Sequence, residues 1–155
     1  MTPAINFVKK SKIDYKIHEY HHDSSEESYG LEAAKKLLIS EKQVFKTLVV
    51  NIGTKEFGVA VVPVSSKLSM KRFAKALGVK KADMAKALDV ERVTGYVLGG
   101  VSPLGQKKRL KTVVDISAVD YKTIFVSAGR RGLEIELSPK DLISFLSAKS
   151  IEICQ

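Results

Sequence analysis

Val44–Val64 reads VFKTLVVNIGTKEFGVAVVPV, and its pattern decides the fold class. Two runs, Val44–Ile52 and Phe57–Val64, are rich in β-branched and aromatic residues. Gly53-Thr54-Lys55-Glu56 between them has the length and composition of a hairpin connection. Neither run alternates apolar with polar. Strands apolar on both faces lie in the middle of a sheet covered on both sides, so helices must pack above and below. Thr2-Pro3 reads as N-cap and first helical position of a short helix through Ile5 and Val8. Leu31–Ile39 predicts a second helix, and Met70–Leu77 a third, capped by Ser69 and stopped by Gly78. Ala82–Leu88 predicts another short helix and Ser138–Ala148 a last one, where Ser138-Pro139-Lys140-Asp141 has the shape of a capping box with Asp141 as cap. Further strands are predicted at Tyr15–Tyr20, Thr112–Ile116, Thr123–Ser127, Leu133–Leu137 and Ile151–Cys154, and a polar loop at His21–Ser28. Six or seven strands interrupted by helices, with hairpins among them, predict an α/β fold with a mixed sheet rather than a doubly wound one.

The 155 residues are 45% hydrophobic and 28% charged, the balance of an ordinary globular protein. One domain spanning residues 1–155 is expected, and at this size it buries about two-thirds of its unfolded surface. Cys154 is the single cysteine, which excludes a disulfide scaffold. No apolar run approaches ~18 residues, so no membrane span is expected. Met1–Lys12 has its basic residues after its apolar ones and lacks a small-residue cleavage site, so it does not read as a signal peptide. The expectation is a cytoplasmic, reduced protein. The 26 Lys and Arg against 17 Asp and Glu give a formal net charge of +9. The excess suits either a solvated surface or a polyanionic partner. Its clustering favours the partner: Lys71, Arg72, Lys80 and Lys81 form one group, Lys107, Lys108 and Arg109 a second, with Arg130-Arg131 as a further pair. Aromatic residues are only 7% of the chain with no Trp, so nucleic acid would be gripped by its backbone and one terminal nucleotide rather than by stacking many bases.

Most catalytic constellations are missing. Cys154 lies at a terminus expected to fray, far from any helix start that would activate a thiol. His18, His21 and His22 are the only histidines; His21-His22 in a polar loop read as solvent-exposed, and no metal site is expected. No phosphate-binding glycine motif occurs, and Ser102 in Gly100-Val101-Ser102-Pro103 is not a nucleophile elbow. Electrostatics and positioning remain. Lys46 is the one charge in an apolar strand: either a rim lysine with a snorkelling stem, or a cation aimed into a pocket at a phosphate or oxyanion. Thr94–Gly105 (TGYVLGGVSPLG) carries four of the ten glycines, and Gly99-Gly100 there makes either a tight turn or a cradle of backbone N–H groups for a carbonyl oxygen.

Three segments together resemble the YbaK proteins, bacterial Cys-tRNA deacylases of the prolyl-tRNA synthetase editing-domain superfamily. They are Phe45-Lys46-Thr47-Leu48, the loop Thr94–Arg109 (TGYVLGGVSPLGQKKR), and Val126–Leu133 (VSAGRRGL). The resemblance extends over essentially the whole chain. It implies a highly curved, mixed and mostly antiparallel sheet approaching a barrel, surrounded by helices. It also implies hydrolysis of the ester between a mischarged amino acid and the 3′-terminal adenosine of tRNA, characteristically cysteine on tRNA(Pro) and also Cys-tRNA(Cys). Binding alone separates such small side chains by factors of only about 10–200, which is why a second sieve is needed. On this resemblance Lys46 holds the terminal phosphate or ribose, and the N–H groups of Gly99 and Gly100, in the loop that continues through Ser102 and Pro103, hold the aminoacyl carbonyl. Tyr20, Tyr29, Thr47, Ser127 and Glu134 fall at pocket positions; the family often has Phe at the position of Tyr29, and some members have Asp at that of Glu134. No cofactor is implied. The implied partners are the tRNA(Pro) acceptor end, with the two basic clusters on its backbone, and prolyl-tRNA synthetase. The implied mechanism needs no protein nucleophile, because the substrate's own thiol attacks its ester and leaves as a cyclic thioester. The alternatives are a deacylase of other specificity, such as Ala-tRNA(Pro), or a non-catalytic module binding tRNA or a synthetase.

Overall fold

The computed structural model describes residues 1–25 and 28–155; the expected loop at His21–Ser28 includes Glu26 and Glu27, which lie outside the described residues. The deciding stretch forms the expected hairpin. Strands β2 (Phe45–Gly53) and β3 (Glu56–Pro63) pair antiparallel from Phe45 opposite Pro63 to Gly53 opposite Glu56. Both faces are buried, as the unbroken apolar runs require. Phe45, Val49, Val59 and Val61 pack into one core, and Val50, Ala60 and Val62 into another on the opposite side. The first core receives helix α1 (Pro3–Ser11) through Ala4, Ile5 and Val8, the second helix α3 (Met70–Leu77) through Phe73. Each fully buried aliphatic side chain contributes about 1.5–3 kcal/mol, so this strand pair anchors the molecule.

Strands β1 (Tyr15–Glu19), β5 (Lys111–Asp115), β6 (Ile124–Ser127) and β7 (Leu133–Leu137) follow expectation, whereas the last strand, β8 (Lys149–Ile151), lies ahead of the expected Ile151–Cys154, where Cys154 forms only an isolated bridge to Leu68. They divide into two sheets, ordered β1-β7-β6 and β4-β2-β3-β5-β8, with β4 at Asp83–Met84. Four pairings are antiparallel; β3–β5 and β5–β8 are parallel. The α/β class and the mixed, mostly antiparallel pairing therefore match expectation. The described residues form two sheets joined by a single bridge between Val44 and Phe125, and no closed barrel.

Three further local expectations are corrected. The helix predicted at Ala82–Leu88 is absent: β4 pairs there with Val50 and Asn51, and the helix, α4, runs from Ala87 to Thr94. The apolar spacing of Val90, Val93 and Thr94 buries that later segment against the core, so packing overrides the propensity of the earlier one. The final helix, α5 (Pro139–Leu146), has Ser138 at its N-cap without a side-chain cap bond. Its start is set by Pro139, with its fixed φ, and by Asp141 as a first-turn anion rather than a capping box. The C-terminus does not fray. Ile153 is fully buried and donates its N–H to Asp115 Oδ1 at 2.9 Å, and the Gln155 N–H donates to the Lys67 carbonyl at 2.9 Å. No helix among the described residues is long and apolar enough to cross a membrane.

Candidate active site

The two sheets are bridged at Val44, and β4 pairs with β2 at Val50 and Asn51, with the Ala85 N–H donating to the Val49 carbonyl at 3.1 Å. Between those points the edge of β2 carries no neighbouring strand. A cavity of about 250 Å³ opens along this gap, bordered by the consecutive residues Phe45, Lys46, Thr47 and Leu48. Alternating residues of a strand face opposite ways; the free edge lets one cavity wrap around it and reach both. Its other walls come from helix α2 (Tyr29–Leu37), the glycine loop and the β6–β7 turn.

Seven of the ten candidate catalytic and substrate-binding residues line this cavity: Tyr20, Tyr29, Lys46, Thr47, Gly99, Ser127 and Glu134. They come from six separate parts of the chain. Lys46 is half-buried and lines this cavity. Burial, together with the Lys67 charge, holds its ammonium below the usual lysine range. Thr47 Oγ1 is buried and has no hydrogen-bond partner among the described residues. Glu134 is 6% exposed, and burial pushes its carboxyl up to about 8; among the described residues it has neither ion pair nor hydrogen-bond partner. Burial likewise pushes the Tyr20 phenol up to about 12. Buried polar groups are nearly always satisfied, so the unsatisfied Thr47 hydroxyl on a cavity also lined by Glu134 marks a site shaped for a polar ligand.

The glycine loop is held from below. Tyr96 is buried and donates its hydroxyl to the Leu104 carbonyl at 2.7 Å, while Thr94 Oγ1 accepts the Tyr96 N–H at 3.1 Å. Gly99 adopts φ +89° against the ring of Tyr29, so close that a Cβ there would lie 2.0 Å from Cε2. The two glycine amides differ. The Gly100 N–H donates to the Val97 carbonyl at 3.0 Å, whereas the Gly99 N–H has no hydrogen bond among the described residues. Gly100, Ser102 and Pro103 do not line the cavity. Ser102 is fully buried, its hydroxyl accepting the Leu104 N–H at 3.2 Å, and Pro103 borders a separate cavity beside Phe7 and Phe145.

None of Lys71, Arg72, Lys80, Lys81, Lys107, Lys108 and Arg109 borders the main cavity. Arg72 pairs with Glu152 at 3.1 Å and donates to the Cys154 carbonyl, and Arg109 donates to Ser147 Oγ at 2.8 Å. The Cys154 thiol is pushed up to about 12 by burial and the Asp115 carboxylate, which keeps it protonated. Four residues at or behind the cavity escaped the reading of candidate site residues: Arg130 and Arg131 line it, and His22 and Glu32 lie behind Arg131. The expected exposure of His22 is corrected, for it is partly buried against Glu32. The Arg130-Arg131 pair was visible as charge; nothing local pointed to Glu32, one charge among the α2 residues.

Residues 26–145 match the aminoacyl-tRNA editing domain family. The chain is 41% identical over 154 residues to EbsC of Enterococcus faecalis (strain ATCC 700802 / V583), described as a candidate Cys-tRNA(Pro)/Cys-tRNA(Cys) deacylase, covering 98% of this chain and 92% of that protein. The chain belongs to the aminoacyl-tRNA editing domain family. Its YbaK resemblance is thereby upheld. YwhH, an uncharacterized protein of Bacillus subtilis (strain 168), is 29% identical over 125 residues, 80% of this chain and 79% of that one. Two solved structures share the editing-domain fold at lower identity. The crystal structure of a candidate trans-editing enzyme for prolyl-tRNA synthetase superposes with TM-score 0.85 at 21% identity, covering 100% of this chain and 99% of the other. That of the hypothetical protein APE2540 does so with TM-score 0.88 at 24% identity, covering 99% of each.

Proposed function

We propose that this editing domain, residues 1–155 acting as one unit, is a trans-acting deacylase that clears cysteine from tRNA(Pro) in the cytoplasm, with Cys-tRNA(Cys) as a further substrate. The observation that carries the reading is a cavity lined by the unsatisfied Thr47 hydroxyl, the buried Glu134 carboxyl, Lys46 and Gly99, whose N–H has no hydrogen bond among the described residues. The relative EbsC, covered over nearly all of its length, supports the cysteine assignment.

Lys46 takes the phosphate or ribose end of the terminal nucleotide. The Gly99 N–H points the oxyanion donor at the ester carbonyl, where such a group contributes about 2.7–4 kcal/mol to the transition state. Tyr20, Tyr29, Thr47 and Ser127 line the space for the aminoacyl group, and Glu134 faces its α-ammonium. The residues lining the cavity include no Cys and no His. As the YbaK resemblance implies, the attacking group on this reading is the substrate's own thiol: its sulfur bonds to the carbonyl carbon, the ester C–O bond breaks, and the thiol proton passes to the departing ribose oxygen. The protein's part is to fold the aminoacyl group into attack geometry. Lys107, Lys108 and Arg109, with Lys71, Lys80 and Lys81, meet the acceptor-stem backbone, and prolyl-tRNA synthetase supplies tRNA specificity.

Deacylation time courses on Cys-tRNA(Pro), Ala-tRNA(Pro) and Pro-tRNA(Pro) test this. Only the cysteine ester should be lost, Lys46→Ala should remove most of that activity, and Cys154→Ser should keep it within about tenfold, a difference of ~1.4 kcal/mol. Loss of the alanine ester instead would give the protein another specificity; binding without cleavage of any ester would leave a non-catalytic module.

A further inference from the structure

Behind the cavity runs a chain of contacts that starts at a buried carboxylate and ends on a cavity-lining cation. Glu32 is 1% exposed. Its Oε1 lies 2.6 Å from His22 Nδ1, and its Oε2 accepts the Asp23 N–H at 2.7 Å and lies 3.5 Å from Lys36 Nζ. On the other side of the imidazole, His22 Nε2 lies 3.1 Å from an Arg131 guanidinium nitrogen. The guanidinium itself rests 3.3 Å above the centre of the Tyr29 ring, the same ring that Gly99 packs against.

The proton arrangement follows from the partners. A guanidinium has donors only, so His22 Nε2 must accept. The proton of the neutral imidazole then sits on Nδ1 and is donated to Glu32. Burial works to raise the Glu32 carboxyl, but the hydrogen bonds from Asp23 and His22 and the nearby Lys36 ammonium hold it below the usual carboxylate range. The consequence concerns charge. A carboxylate touching Arg131 directly would neutralise it; a neutral imidazole between the two fixes the guanidinium without spending its charge. Arg131 makes no ion pair among the described residues, and one hydrogen bond leaves most of its five N–H donors free. A guanidinium held flat on an aromatic face, with its fork open, suits a phosphodiester.

We propose that Arg131 is a second anion-binding cation of the cavity, taking the 3′-terminal phosphodiester of the substrate beside Lys46, and that His22 and Glu32 are its positioning residues. This rests on the reading of the cavity as the seat of an aminoacyl-tRNA 3′ end.

Two measurements on the full chain test it: steady-state deacylation of Cys-tRNA(Pro), and binding of an uncharged tRNA acceptor minihelix as a function of salt. Arg131→Ala should raise KM about tenfold or more while kcat stays within about threefold, the pattern of lost uniform binding. It should also lower the salt slope by about one phosphate contact. Arg131→Lys should not restore KM, because an ammonium cannot lie flat on Tyr29 while donating to His22. His22→Ala should raise KM in the same way, and His22→Gln should recover most of the loss, since an amide can donate to Glu32 and accept from Arg131. A purely structural role would lower Tm without this rescue of KM. Arg131→Ala with unchanged KM and salt slope overturns the proposal, as does a His22→Ala loss confined to Tm. If the wild-type protein cleaves no ester, the deacylase reading fails, and the salt slope of minihelix binding decides the role of Arg131 by itself.

Discussion

Glu134 is the residue whose surroundings most change its chemistry. Its carboxyl binds a proton more tightly in the folded chain, at about 8, than an ordinary glutamate at 4.5. The folded state therefore holds more protons than the unfolded one between those values. The stability this confers is fully present below about pH 4.5 and is lost as pH rises through about 8. Glu134→Gln, which keeps the neutral shape, should flatten this part of the pH dependence and melt higher than wild type at pH 8. Thermal melts from pH 5 to pH 8 check this, and a Glu134→Gln curve falling as steeply as wild type would refute it. The same substitution should impair deacylation if Glu134 receives the α-ammonium. Gain in stability with loss in activity is the signature of a group kept for function at a cost to folding.

Among the elements, the glycine loop is the most constrained. Gly99 combines a left-handed φ with contact against the Tyr29 ring, whereas Gly78, which stops α3, has φ +71° and open space around it. Alanine at Gly78 should cost about 1 kcal/mol of backbone strain and leave activity intact. Alanine at Gly99 adds a clash that either Tyr29 or the loop must relieve, so deacylation should fall at least tenfold beyond any effect on Tm. Equal behaviour of the two variants in both assays would show that the loop tolerates displacement. Strand β2 carries the complementary lesson. Its free edge between Val44 and Val50 would be an aggregation hazard if left bare; here the short exposed stretch is bordered by Lys46 and covered by the loop and α2.

For the molecule as a whole, a net charge of +9 includes basic clusters outside the cavity that differ in availability. Arg72 is engaged by Glu152 and the Cys154 carbonyl, and Arg109 by Ser147, while Lys107 and Lys108 extend directly from the loop that bears Gly99. Reversing Lys107 and Lys108 to Glu should weaken minihelix binding and flatten its salt dependence more than Arg72→Ala does. Binding titrations between about 50 and 200 mM salt compare them; an unchanged slope for the double reversal would remove this cluster from the tRNA path.

Local pattern determined much of this protein. The hairpin at Val44–Val64, the helix Met70–Leu77 that Gly78 stops and the strand Leu133–Leu137 follow from side-chain periodicity and caps within a few residues, and Lys46 stands out as a charge in an apolar strand. What tertiary structure alone decided involves distant partners. Asp83–Met84 became a strand because β2 had an edge to offer, and Ile153 held the terminus because Asp115 could accept its amide. The commitment of the Gly100 amide to Val97, the withdrawal of Ser102 and Pro103 from the cavity, and the line from Glu32 through His22 to Arg131 have the same origin. Propensity and periodicity act over a turn or a pleat, whereas a cavity is the space left where segments far apart in sequence fail to touch.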